Sequence, residues 1–370
     1  MAVCKLCGKK SKIVSSALNL CYECIVKRPE MSRPIIEIAH TRARKPYNLP
    51  PLPPDNGILC ERCGNACRIA EGEKGYCGMV ENRGGKLTLL STASRGYLSY
   101  YLDPLPTNCV ASWVCPAETG AGYPEYARRD GPEYGFKNLA VFYHSCTYDC
   151  LFCQNSHFRD MYLKGETSAK TLAGEVSERV ACICYFGGDP VSQIEHSLAT
   201  SRIALKKAKE EKRVLRTCWE TNGSMSTRIA RQMMEIALRS GGIIKFDIKC
   251  ADENLHFALT GVSNQQAWEN LRALSEYIPQ RPSPPPLVVS TLLVPGYVDE
   301  DEVGEIARRV AVINPDIPYS LLAFYPCHKM SDLPTTSKRH ASRCYEVAQE
   351  AGLTRVHLAN LHLLSTYDYE

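Results

Sequence analysis

Short apolar runs alternate with amphipathic segments through the C-terminal part of the chain. Six such runs predict strands, near residues 138–143, 182–186, 213–218, 243–248, 287–294 and 318–324. The segments between them predict helices, for example near residues 193–212, 225–239, 265–277, 299–312 and 336–351. Strands that alternate with helices favour a parallel sheet of the α/β class. We therefore expect a partial (β/α)6 barrel over residues 137–370, with its functional loops at the carboxyl ends of the strands.

The N-terminal part of the chain is instead organised by cysteines. Two Cys-x2-Cys pairs, separated by thirteen residues, match a tetrahedral zinc ribbon over residues 1–30. Its predicted ligands are Cys4, Cys7, Cys21 and Cys24. A segment this short cannot bury a core of its own, so the metal must supply folding energy. Residues 31–57 are predicted to be a proline-rich linker, because residues 45–56 hold five prolines and favour an extended spacer.

A second cysteine module and a connecting segment are expected over residues 58–136. The module's predicted ligands are Cys60, Cys63, Cys67 and Cys77. Four thiolates can close a zinc site or hold an auxiliary iron–sulfur cluster, and the spacing alone leaves both open. Downstream, Cys109 and Cys115 are either buried thiols without a ligand or part of a metal or cofactor site.

Composition excludes some classes of protein. The chain has 370 residues, with 44 basic and 40 acidic side chains and a net charge of +4, which gives no reason to expect a nucleic-acid partner. It holds no apolar run of about eighteen residues, so we expect no membrane span. The first residues lack an apolar signal-peptide core. Nineteen cysteines in such a chain favour metal ligation in a reducing cytoplasm over disulfides.

Three cysteines follow the first predicted strand of the core, in the pattern Cys146-x3-Cys150-x2-Cys153. A [4Fe–4S] cluster usually takes one thiolate for each iron, so three thiolates leave one iron open to bind a substrate or cofactor. This loop, with the aromatic Phe152 before its last cysteine, resembles the signature loop of the radical S-adenosylmethionine (SAM) superfamily. The resemblance implies that the open iron chelates the amino and carboxylate groups of SAM.

Later motifs agree with this resemblance in their order. It implies that the glycine-rich loop after the second strand binds the SAM amino group, with an aspartate in place of the commoner glutamate, and that polar residues after the next strands hold the ribose and carboxylate. The implied SAM-binding residues are Phe152, Gly187, Gly188, Asp189, Thr221, Asn222, Asp247 and Lys249. His256 precedes a Thr-Gly pair, as in activating enzymes, and is either a proton shuttle or a structural histidine.

Residues 58–360 resemble the AmmeMemoRadiSam enzymes, which are relatives of the pyruvate formate-lyase activating enzymes. That resemblance implies a polypeptide substrate and an electron donor for the cluster. The cysteine-rich N-terminus and the tract 108–116 also look like the methanogen enzyme that methylates a glutamine Cα of methyl-coenzyme M reductase with the help of cobalamin. The chain has no Asp-x-His-x-x-Gly cobalamin motif. The alternatives are an activating enzyme for a glycyl-radical protein, another radical SAM enzyme that modifies proteins without cobalamin, a small-molecule radical SAM enzyme, and a zinc-ribbon interaction protein.

Overall fold

The computed structural model describes residues 1–369, so residue 370 of the predicted barrel segment lies outside the described residues. The part before the core contains short strands and three helices. These elements are β1 (Ala2–Val3), β2 (Lys10–Ser11), α1 (Tyr22–Lys27), α2 (Pro29–Arg44), β3 (Ile58–Leu59), β4 (Arg68–Ile69), β5 (Val80–Asn82), β6 (Leu87–Leu89), β7 (Gly96–Pro104) and α3 (Pro116–Thr119). Strands β1 and β2, β3 and β4, and β5 and β6 pair as three small antiparallel ladders.

Helix α2 occupies much of the segment predicted to be a linker. Its buried side chains recur at helical spacing, from Ser32 through Ile36, His40 and Ala43 to Arg44. Such a stripe buries one face of a helix against the rest of the protein. Residues 31–44 of that segment are therefore helical, and the extended spacer stays a prediction for the proline-rich residues that follow the helix.

One mixed sheet of nine strands forms the core. Its remaining strands are β8 (Lys137–Tyr143), β9 (Glu166–Thr167), β10 (Val180–Gly187), β11 (Arg216–Thr221), β12 (Ile244–Asp247), β13 (Leu287–Leu293), β14 (Tyr319–Ala323) and β15 (Val356–Ala359). The order across the sheet is β15-β14-β13-β12-β11-β10-β8-β7-β9. Strand β8 and strands β10 to β15 pair in parallel, whereas β7 pairs antiparallel with β8 and β9.

Helices connect the parallel strands and cover the sheet. They are α4 (Ala169–Gly174), α5 (Ile194–Glu210), α6 (Thr227–Ser240), α7 (Glu253–Thr260), α8 (Gln265–Ser275), α9 (Glu300–Ile313) and α10 (Lys338–Glu350). In α6, the buried residues Ile229, Ala230, Met233, Met234 and Ala237 make one apolar face. Strand β13 is buried along its whole length, as expected for a central strand that is covered on both sides.

The six predicted strands are all present, but the sheet is larger than six. The prediction missed β15, which is only four residues long, half-buried and paired on one side only. It also missed β7, whose antiparallel pairing belongs to no β/α unit. In the described residues the strands pair as an open row from β15 to β9, so the structure defines a mixed α/β sheet. The partial six-unit barrel stays a prediction.

Residues 105–136 pack against the N-terminal half of the parallel strands. Glu133 and Arg216 form a fully buried ion pair, with Arg216 Nη2 2.6 Å from Glu133 Oε2 and Nη1 2.8 Å from Oε1. On the other side, the Trp113 indole donates to Ser320 Oγ at 2.9 Å. This segment thus bridges β11 and β14 across the sheet.

Among residues 1–369, no helix has the length and apolar character that crossing a membrane requires.

Candidate functional site

The cysteine loop, residues 144–155, follows β8 and is fixed by backbone hydrogen bonds to two distant segments. The amides of Asp149 and Leu151 donate to the carbonyls of Thr260 and Leu259, at 2.8 and 3.0 Å, at the end of α7. The Lys329 amide donates to the Leu151 carbonyl at 3.0 Å. The loop is therefore held in one conformation by the fold around it.

A buried carboxylate provides the second anchor of this loop. Asp149 Oδ1 lies 2.7 Å from Arg159 Nη2 and 3.7 Å from Arg44 Nη1, and its Oδ2 lies 2.7 Å from His40 Nδ1. Burial alone would raise the pKa of Asp149, but Arg159, His40 and Arg44 together hold it below its usual range. The loop carries a permanent negative charge that helix α2 helps to neutralise.

Two glycines allow β10 to end directly against the cysteine loop. Gly187 has φ +107°, and a Cβ there would lie 2.5 Å from the Tyr143 backbone nitrogen. A Cβ on Gly188 would lie 2.1 Å from the Ser145 carbonyl oxygen. Any side chain at these positions would therefore separate the glycine-rich loop from the cysteines.

The three cysteines of the loop line one pocket of about 130 Å³ together with the other predicted SAM-binding residues. The pocket is lined by Cys146, Phe152, Cys150, Cys153, Gly187, Gly188, Asp189, Thr221, Asn222, Asp247 and Lys249, among others. Burial raises the pKa of Cys150 to about 12 in spite of the nearby Lys249 ammonium. Burial also raises the pKa of Cys146 and Cys153. The free thiols are thus protonated at neutral pH, and a bound metal would supply the positive charge that stabilises thiolates.

The Asp189 carboxylate accepts its hydrogen bonds from groups of the protein. The donors are the backbone amides of Val191 and Asn222, both at 2.7 Å, and Thr221 Oγ1 at 3.0 Å. The Asn222 side chain in turn donates to Thr147 Oγ1 at 2.8 Å. Asp189 therefore joins the ends of β10 and β11, and the glycine backbone faces the pocket beside it.

Asp247 and Lys249 meet at the carboxyl end of β12. The Lys249 ammonium forms an ion pair with the Asp247 carboxylate. It also lies 5.6 Å from the centre of the Phe152 ring, within reach of a cation–π contact. Both charges line the cysteine pocket, where they can meet the charged groups of a ligand.

His256 is structural in this arrangement. Its Nδ1 lies 2.8 Å from the Val262 carbonyl oxygen, and burial lowers its pKa to about 4. The imidazole is neutral at physiological pH and is absent from the residues that line the pocket.

A larger cavity of about 490 Å³, here called the chamber, adjoins the cysteine pocket. Asn155, Phe186 and Glu220 line both spaces. Alternate residues of β10 and β11 face the chamber, and five thiols surround it. These thiols belong to Cys109, Cys115, Cys182, Cys184 and Cys218.

Lys245 brings a buried cation into the chamber wall. Its Nζ lies 2.8 Å from Cys184 Sγ, 3.2 Å from Cys109 Sγ and 3.5 Å from Glu220 Oε2. Burial alone would lower the pKa of Lys245, but these neighbours raise it well above its usual value. Cys109 and Cys115 thus lie in a polar ligand-sized space.

Cys4, Cys7, Cys21 and Cys24 converge at the N-terminal end of α1, where Cys21 is the N-cap residue. Their sulfur atoms all lie within 4.8 Å of one another, so this set can hold a metal ion. Cys60, Cys63, Cys67 and Cys77 instead line a small cavity of their own beside Thr147.

Sequence reasoning missed several residues of the site. His40, Arg44 and Arg159 carry no local motif, and only the fold brings them to Asp149. Cys184, Cys218 and Lys245 could have been noticed, because they stand two residues before Phe186, Glu220 and Asp247 and so share their face of the sheet.

Comparison with known proteins agrees with this geometry. Residues 140–310, just under half of the chain, match the radical SAM superfamily. Its members use a [4Fe–4S] cluster and SAM, and the three thiols facing one pocket fit the cluster.

The curated relatives are activating enzymes. The isethionate sulfite-lyase activating enzyme of Oleidesulfovibrio alaskensis is 34% identical over 140 residues, which is 38% of this chain and 40% of that protein. The pyruvate formate-lyase 1-activating enzyme of Escherichia coli is 24% identical over 48% of this chain and 70% of that protein. The chain thus spans about two fifths of the length of the first relative. Among solved structures, Streptococcus suis SuiB bound to S-adenosylmethionine matches with a TM-score of 0.42 and 16% identity, over 61% of this chain and 47% of SuiB.

Replacing Asp189 by Asn should flatten the pH dependence of the free energy of unfolding. Burial raises the pKa of Asp189 from 3.8 to about 6, so the folded protein binds its proton more tightly than the unfolded chain. The resulting stabilisation is complete below the unfolded pKa and is lost as the pH rises through about 6. Between pH 5 and pH 7.5 the wild type should lose about 1.4 kcal/mol that Asp189→Asn does not lose.

Anaerobic urea unfolding at the two pH values measures this difference. Thr221→Val is the matched control, because it removes one hydrogen-bond donor but keeps the carboxylate, so its pH dependence should remain. An equal pH dependence in Asp189→Asn and the wild type would contradict the assignment.

Proposed function

We propose that this protein is a radical SAM enzyme that modifies a polypeptide. The observation that carries the proposal is the convergence of Cys146, Cys150 and Cys153 with the glycine pair and the Asp247–Lys249 ion pair on one pocket. When bound, the [4Fe–4S] cluster supplies the electron that splits SAM into methionine and a 5′-deoxyadenosyl radical.

The residues of the pocket have distinct proposed tasks. The three cysteines hold three irons of the cluster, and the backbone of Gly187 and Gly188 receives the SAM amino group. Lys249 offers its ammonium to the SAM carboxylate, and Asp247 can accept from ribose hydroxyls. Asp189 positions Thr221 and Asn222 through its hydrogen bonds and keeps this wall of the pocket rigid.

A polypeptide substrate is supported by the relatives, which are named for activating isethionate sulfite-lyase and pyruvate formate-lyase. The chamber has room for a substrate side chain or a cofactor in addition to the peptide backbone. It offers about 490 Å³ next to the pocket, and a glycine itself needs no such room. We therefore favour a substrate residue with a polar side chain, and propose C-methylation of a glutamine Cα, with methyl-coenzyme M reductase as the substrate.

Methylation of an sp3 carbon needs a carrier for the methyl group, and we propose cobalamin. The chamber does not fit it fully. No histidine is among the described residues that line the chamber, and a corrin with its nucleotide tail is larger than this space. We therefore assign no step of the reaction to cobalamin.

Activation of a glycyl-radical protein is the second candidate function. It is favoured by the names of the relatives and requires no cobalamin. In both functions a low-potential protein must donate an electron to the cluster.

For the N-terminal set, we propose a structural zinc ion held by Cys4, Cys7, Cys21 and Cys24. Tetrahedral Zn–S bonds of about 2.3 Å place the sulfurs about 3.8 Å apart, which agrees with the observed convergence within 4.8 Å.

Changing Cys146, Cys150 and Cys153 together to alanine should abolish the formation of 5′-deoxyadenosine, because all three thiolate ligands of the cluster are lost. Chromatography of anaerobic reactions with SAM and dithionite measures the product. Cys344→Ala, a buried cysteine on α10 outside every cysteine set, should retain it. Formation of 5′-deoxyadenosine by the triple variant would disprove the cluster assignment.

The double substitution Cys4→Ala/Cys21→Ala should lower the bound zinc by about one ion per chain, since a Cys4 site holds one ion. Elemental analysis of the purified protein provides the count, with Cys344→Ala again as control. An unchanged zinc content would show that the ion is bound elsewhere.

The reaction itself can be tested with a peptide from methyl-coenzyme M reductase whose glutamine carries deuterium on Cα. Deuterium should pass into 5′-deoxyadenosine, and the peptide should gain one methyl group only when cobalamin is present. Mass spectrometry follows both products. Deuterium transfer to 5′-deoxyadenosine without methylation of the peptide, whether or not cobalamin is present, would contradict the methylation step, and a glycine-containing peptide deuterated on Cα would then test the activating function. Methylation in the absence of cobalamin would rule out the carrier.

A further inference from the structure

The second cysteine set forms a defined site beside the cysteine loop. Cys60 and Cys67 are joined by a backbone hydrogen bond of 2.7 Å across the β3–β4 hairpin. The backbone amides of Tyr76 and Met79 point to the sulfurs of Cys67 and Cys77, each at 3.4 Å. Amide donors to sulfur stabilise and tune thiolates that ligate a cluster.

Sulfur spacing separates this set from the N-terminal one. In the part of the chain that the structure describes, only Cys4, Cys7, Cys21 and Cys24 bring three or more sulfurs within 4.8 Å of one another. A single tetrahedral zinc requires that closeness. A [4Fe–4S] cluster spreads its thiolates over four separate irons and needs a wider set. Among the described residues, neither the second set nor Cys146, Cys150 and Cys153 brings three sulfurs within 4.8 Å of one another.

The second module also touches the cysteine loop directly. The Asn65 side chain, between Cys63 and Cys67, donates to the Thr147 carbonyl oxygen at 2.7 Å, next to Cys146. Thr147 lines the cavity of the second set. Cys77 and Cys146 together line another small cavity between the two sets. The second module and the cysteine loop therefore adjoin each other at Asn65 and Thr147.

We propose that Cys60, Cys63, Cys67 and Cys77 hold a second [4Fe–4S] cluster that passes single electrons to the cluster of the cysteine loop. The proposal rests on the proposed radical SAM function. A reduced iron–sulfur or flavin protein donates one electron and is oxidised, and the second cluster goes from the 2+ to the 1+ state. It returns to 2+ as the first cluster is reduced from 2+ to 1+, and no bond or proton changes in the relay.

The first test is the metal content of the wild-type holoenzyme. Anaerobic protein should contain about eight irons per chain, from two clusters of four, and about one zinc. Electron paramagnetic resonance of the reduced protein should show two signals, of which SAM alters one. About four irons with about two zinc ions would overturn the proposal.

Rapid-freeze spectra of the wild type test the relay. After mixing with a reduced flavin protein, the signal that SAM does not alter should appear before the signal that SAM alters. The reverse order would overturn the relay even if both clusters are present. Absence of any signal that responds to SAM would instead refute the radical SAM function, so the two failures are distinguishable.

A pair of matched variants completes the design. Cys60→Ser/Cys67→Ser should halve the iron content but keep the zinc and the signal that SAM alters. In this variant the flavin protein should reduce the cluster of the cysteine loop at least tenfold more slowly than in the wild type. Cys4→Ser/Cys21→Ser should lose zinc and keep the iron. Unchanged iron in the first variant, or reduction at the wild-type rate after iron is lost, would overturn the proposal.

Discussion

The candidate site depends most on the contacts that balance the buried negative charge of Asp149. The residue stands next to Cys150 and is fully buried, so its charge must be balanced by partners within the protein. Arg159 comes from the segment after the loop, and His40 and Arg44 come from α2, more than one hundred residues earlier. Removing one partner from a buried ion pair typically costs about 3–5 kcal/mol. The N-terminal helix is therefore part of the architecture of the cysteine pocket.

The N-terminal segment is tied to the sheet at a second point. The Tyr297 hydroxyl accepts from the Ser15 amide and donates to the Leu20 carbonyl, both at 2.9 Å. Ser15 Oγ also donates to Asp332 at 2.9 Å. Because α1 and α2 follow this segment, a metal held by the N-terminal cysteines would fix the position from which His40 and Arg44 reach the loop. Folding of the first forty residues and formation of the pocket are thereby coupled.

Much of the core could be predicted because it depends on local patterns. Apolar runs gave the positions of β8 and β10 to β14, and motifs after those strands meet at one edge because parallel strands end together. Pairings between distant segments have no such pattern, and His40 with Asp149 and Glu133 with Arg216 could not be anticipated. The use of Asp189 as a brace between two strand ends also needed the structure, since its three donors come from the backbone and from Thr221. Cysteine spacing in sequence likewise left zinc and iron open for the second module, because it does not define distances between sulfurs.

Phe142 and Phe186 pack edge to face, with ring centres 4.5 Å apart, at the border between pocket and chamber. Cys184 lies two residues before Phe186 on the same face of β10, about 7 Å further down the strand. A thiol gives up its hydrogen atom more readily than a carbon centre does, so a carbon radical that reached this layer would be quenched and would leave a thiyl radical. The aromatic pair keeps such hydrogen donors one layer away from the cysteine pocket. In the proposed radical reaction, loss of either ring would uncouple SAM cleavage from modification of the substrate, because the radical would end on the protein's own sulfur.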